Sequence, residues 1–205
     1  MRKMIVRIMI CGMLATFCWS YFLLKERQML REGLIRFHIV ANSDSFDDQE
    51  IKYHIRDIVL KSIQPDIQKI KDVKEAKNYL RENLPKIQAL VTENLESFGF
   101  LGGCRVSLCK ERFNIRNYDT FSLPAGVYES LRIVIGEGQG QNWWCVSFPQ
   151  LCMPATTSGF QDAAVSAGFS TSLAQTLADQ EPYDIHFYFL NQLGKLENIF
   201  FRESN

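Results

Sequence analysis

The feature that most constrains this chain is its amino terminus. Arg2, Lys3 and Arg7 precede an uncharged run from Ile8 to Leu24, which Lys25, Glu26 and Arg27 close. Seventeen uncharged residues make about 25 Å of helix at about 1.5 Å per residue, slightly short of the roughly 30 Å hydrocarbon layer. Residues 1–27 therefore read as a signal peptide or a short membrane anchor, with the basic amino terminus inside. Cys18 and Ser20 supply small residues for a cut before Tyr21, but Trp19 and its bulky neighbours make a poor site, so cleavage and retention both stand open. Phe17 before Cys18 and Ile10 before Cys11 argue against a lipoprotein cut.

The rest of the 205-residue chain has the composition of one folded domain: 46% apolar and 22% charged residues overall, with 23 basic and 23 acidic side chains. Zero formal net charge points neither to nucleic acid nor to an anionic polymer.

Gly33 to Val40 (GLIRFHIV) reads as a first strand after a polar linker. Ser45 with Asp48 three places on resembles a capping box, so a helix is expected from near Phe46 until Pro65 stops it. Asp72 with Glu75 starts a longer amphipathic helix, in which Pro85 makes a kink or a new first turn and Gly99 a left-handed end. Strands are expected at Arg105 to Phe113, Ser130 to Ile135, Trp143 to Phe148 and Asp184 to Leu190, with a short helix near Ala174 to Ala178. The class is α+β: a mainly antiparallel sheet, helices on one face, residues 33–152 as the core and 153–205 as an extension of the same domain.

Candidate chemistry yields to structural readings. The glycines of IGEGQGQ (Ile135 to Gln141) are followed by strand-like NWWCVSF, not by the helix a phosphate cradle needs, so they read as a hairpin turn. The oxygen-rich stretch Asn42 to Asp48 lacks the glycine and glutamate of a calcium loop and reads as a cap, with a recognition surface as the alternative. His38, His54 and His186 are the only histidines, with neither GxSxG nor HExxH beside them. No cofactor, metal or small-molecule substrate is expected. An exported hydrolase or thiol enzyme using Cys145, or His38 with Asp44, is the alternative.

Outside the apolar run, Cys104 and Cys109 fall on opposite faces of a strand and cannot bridge each other. Cys145 and Cys152 can close a small loop around Pro149, worth about 2.5 kcal/mol by chain entropy. Zinc is disfavoured by the spacing. Trp143 and Trp144 face opposite sides of their strand, and an exposed one would serve as an interface anchor.

Two stretches, IRFHIVANSDSFDDQEIKYHIRD (Ile35 to Asp57) and PAGVYESLRIVIGEGQGQNWWCVSFPQLC (Pro124 to Cys152), closely resemble the stage II sporulation protein R family. The resemblance lies in N-S-D-S after the first strand, P-A-G-x-Y, and G-x-G-x-G-x-N-W-W-C followed by F-P-x-L-C; Gln150 departs from a second proline in the last. It implies a non-enzymatic signal exported from the forespore into the intermembrane space. There such a signal activates a membrane-embedded aspartic protease, which processes a mother-cell sigma-factor precursor. On that reading Asn42, Asp44, Trp143 and Trp144 are nominated as protease contacts, with the membrane a second partner through residues 8–24 if these are retained.

Overall fold

The structure, a computed structural model, describes residues 1–149, 157–179 and 185–201. The chain runs α1 (Arg2–Gly33), β1 (Ile35–Val40), α2 (Phe46–Ile67), α3 (Val73–Ser97), β2 (Cys104–Phe113), β3 (Arg116–Asn117), β4 (Ser122–Leu123), β5 (Gly126–Ile135), β6 (Asn142–Phe148), α4 (Thr157–Ser166), α5 (Thr171–Ala178) and α6 (Ile185–Phe200). The fold is α+β. The main sheet has the order β2-β5-β1-β6; β1 and β5 run parallel, and the two other pairings are antiparallel.

Central strand β1 is buried at all six positions, which requires cover on both faces. Ile35, Phe37 and Ile39 pack with Leu131, Ile133 and Cys145 against the apolar stripes of α2 and α3. The opposite face, where Tyr128, Phe113 and Val146 lie, is covered by Leu23 and Leu30 of α1, Phe160 of α4, Leu173 and Leu177 of α5 and Leu190 of α6. Helices thus lie on both faces, not on one. Each fully buried aliphatic or aromatic side chain in these layers contributes about 1.5–3 kcal/mol.

The local signals act as the sequence suggests at several ends. The Ser45 hydroxyl accepts from the Asp48 amide at the start of α2, and the Asp72 carboxylate accepts from the Lys74 amide at the start of α3. Gly99 follows α3 with φ +73°, a conformation that favours glycine. Three expectations fail. Helix α2 passes through Pro65 to Ile67, because a proline so near the end removes only one ladder bond. The segment expected as a polar linker before β1 is the last part of α1, which carries buried Leu23, Glu26, Arg27 and Leu30. The segment read as a strand, Asp184 to Leu190, opens helix α6 at Ile185; Asp184 lies outside the described residues. A short apolar run fits either period, and burial of Leu190, Asn191 and Gly194 at helical spacing decides it.

Candidate functional site

At the carboxyl end of β1 the chain turns through Asn42, Ser43 and Asp44 into α2, and the β5–β6 loop closes over that turn; because β1 lies between β5 and β6, the glycine segment crosses over the end of β1 and is not the hairpin turn expected from the sequence. Backbone amides of Gln139 and Gly140 donate to the carbonyls of Asn42 and Ala41 at 3.0 and 2.9 Å. The Glu137 amide donates to Asn42 Oδ1 at 3.0 Å, and the Gln141 amide donates to Asp44 Oδ1 at 2.7 Å. Asn42 Nδ2 in turn donates to Asp48 Oδ2 at 2.8 Å, where the Ser43 hydroxyl also donates. These two side-chain bonds, against a smaller burial effect, hold the Asp48 carboxyl below its ordinary range. Gly140 is required here because a Cβ would overlap the Ser43 carbonyl.

Below the loops, Lys52 is buried and donates to Gln49 Oε1 at 2.6 Å and to the Gln141 carbonyl at 3.2 Å. Burial and neighbouring Arg56 push its ammonium down, against the attraction of Asp44. Asn42 and Asp44, nominated as contact residues, are thus tied into an interlock of two loops distant in sequence. Asp44 remains exposed, and Asn42 is half-buried.

The two tryptophans do lie on opposite faces, each half-buried. Trp143 meets Phe37 edge-on with ring centroids 5.8 Å apart and has the Arg56 guanidinium 5.1 Å from its own. Trp144 stacks on His38 at 5.4 Å, and the Arg116 guanidinium lies 3.5 Å from its ring centre. Guanidinium cover leaves neither as a bare aromatic anchor.

The residues of the enzymatic alternative bond other groups. His38 Nδ1 is 2.6 Å from Glu111 and Nε2 is 2.8 Å from Asn142, and Asp44 accepts from the β5–β6 loop instead. Burial raises the Glu111 carboxyl, but the His38 bond and charge, with Arg132 and Ser130, outweigh it and leave the group below its ordinary value. Cys145 is a buried free thiol whose Sγ has only a 4.0 Å contact to the Val146 carbonyl; its expected partner Cys152 lies outside the described residues. Cys104 and Cys109 are free, and burial and Glu111 push the Cys109 thiol up to about 11. Among the described residues no group of three or more His, Cys, Asp and Glu could hold a metal ion.

What sequence reading did not find is an open groove of about 560 Å³ beside the interlock, lined by Asp47, Glu50, Tyr53, His54, Asp57 and Phe98. His54 meets Phe98 edge-on at 4.7 Å. Phe46 stands 74% exposed at the first turn of α2, near the groove in sequence, and Leu101 is 87% exposed. An exposed aromatic within an acidic first helical turn was the available signal.

Residues 31–158, which contain the whole interlock and every strand, match the model of the family described as stage II sporulation protein R. The chain belongs to that family. The stage II sporulation protein R of Bacillus subtilis (strain 168) is 42% identical over 131 residues, 64% of this chain and 58% of that relative. The chain thus matches little more than half of its relative's length. No solved structure matches. The family match includes N-S-D-S and the glycine loop between β5 and β6, the two sequence hallmarks that the fold locks together; it leaves α5 and α6 outside.

Proposed function

We propose that this chain acts in endospore formation as an exported signal, made in the forespore and presented in the intermembrane space. There it activates a membrane-embedded aspartic protease that processes a mother-cell sigma-factor precursor. The observation that carries this reading is the family match over residues 31–158. The apolar amino-terminal helix, suited by length and composition to an export signal or an anchor, supports it.

The contact face comprises Asn42 and Asp44 of the interlock and the acidic groove beside it. Exposed Phe46 and Leu101, close in sequence to the groove residues Asp47 and Phe98, serve as apolar anchors, and binding favours the active arrangement of the protease through differential affinity. A bridge between Cys145 and Cys152 would stabilise the exported domain without taking part in contact.

The test is processing of the sigma-factor precursor in cells that carry the protease but lack their own signal protein, with and without this chain. Processing should require the chain and survive paired Cys145→Ser and Cys152→Ser. Phe46→Ala should lower it about tenfold with folding intact, as loss of one interface anchor does. Absence of processing despite secreted, folded protein would overturn the reading.

A further inference from the structure

The uncharged run of α1 does not end in a linker. It continues as helix into the domain, and its last two turns meet the start of α6. Trp19 packs edge-on against Phe189 with centroids 5.2 Å apart, and Phe22 lies 6.3 Å from the His186 ring. Trp19, Tyr21 and Phe22 of α1 and Ile185, Tyr188 and Phe189 of α6 are 40% to 66% exposed. Trp19, Phe189 and Tyr188 are linked ring to ring, Phe189 with Tyr188 at 5.9 Å, and with Phe22 beside His186 they form an apolar collar.

We infer that this collar is a membrane-interface seat: the first turns of α6 dip into the outer edge of the bilayer entered by α1. Geometry carries the assignment. Lys25 marks the border where charge returns, and Trp19 lies six residues before it, about 9 Å along a helix axis. Any bilayer that takes the uncharged run therefore places Trp19 and the Phe189 ring touching it within the outer part of the hydrocarbon, the depth at which interfacial helices sit. Tryptophan and tyrosine suit that layer because an apolar ring and a polar tip face different media.

The water side of the collar is polar. Glu26 and His186 pair at 2.5 Å just above it, and Glu197 holds α6 to Arg27 and Arg31 further along. The seat does not depend on the protease reading, since lipid alone is its occupant.

The full-length chain, made by cell-free synthesis with vesicles of phosphatidylethanolamine and phosphatidylglycerol, would carry a fluorescent amino acid at one position per variant. Positions 185 and 188 are exposed and tolerate the probe; position 14 reports the run and position 46 the far side. With lipids brominated near the headgroup end of the acyl chain, probes at 185 and 188 should lose about half their emission and the probe at 46 almost none, as insertion to interfacial depth requires. Probes at 185 and 188 as bright as that at 46 would overturn the seat. So would a probe at 14 that deep bromines leave untouched, or a change at 188 that needs the protease. Quenching at 188 in a chain that fails to trigger processing would leave the seat standing and sink the signal reading.

Discussion

Asn42 shows how one amide links two distant segments. Its side-chain oxygen accepts from the Glu137 amide and its nitrogen donates to Asp48. Asn42→Ala removes both bonds and should lower stability by about 1–2 kcal/mol, read as a lower urea midpoint at unchanged slope. Glu111 acts through charge. Its folded value lies below the ordinary 4.5, so its contribution is fully present above that value and is lost as pH falls through the folded one. Glu111→Gln should therefore be less stable than wild type at neutral pH, and the gap in urea midpoint should close as the pH falls through the folded value. Single residues also set how far the site could be read. Asn42 and Asp44 stood out as polar residues at a strand end, but the backbone amides that donate to them lie 95 and 97 positions away. No local pattern announces such a pairing.

Elements with strong local signals were legible, and those decided by tertiary packing were not. Ser45, Asp72 and Gly99 mark ends through chemistry carried within a few residues. Helix α6 carries apolar side chains on both its buried and its exposed face, so its opening apolar run hides the helical period. The second helical layer followed from that same omission. Gly194 gives the placement of α6 a test. An added Cβ there would overlap the Ala125 carbonyl, beside the point where Asn191 Oδ1 accepts from the Ala125 amide. Gly194→Ala should then destabilise by about 1–3 kcal/mol in thermal unfolding. At an open helix position the same change would stabilise by about 1 kcal/mol.

Over the whole molecule, α1 belongs to two environments. Its residues 2–22 are exposed, whereas Leu23, Glu26, Arg27 and Leu30 are buried in the second core. Arg27 donates to Tyr128 at 2.9 Å and to Glu197 at 2.6 Å. A chain beginning at Tyr21 keeps all of these, and one beginning at Leu34 loses them. The longer form should unfold cooperatively in urea. The shorter should be several kcal/mol less stable, since it leaves Glu197 and a large apolar face uncovered, and circular dichroism would show a broad or absent transition.

The unbroken α1 also removes any swivel between the apolar run and the sheet. A flexible tether would let the domain sample every azimuth about the helix axis; a continuous rod fixes one. Each residue inserted before Leu23 would turn the domain by about 100° and lift it by about 1.5 Å, so that bearing and height are set together by the count of residues. The groove beside α2 would then always point the same way relative to the collar, and a partner confined to the same bilayer would meet it from a single compass direction.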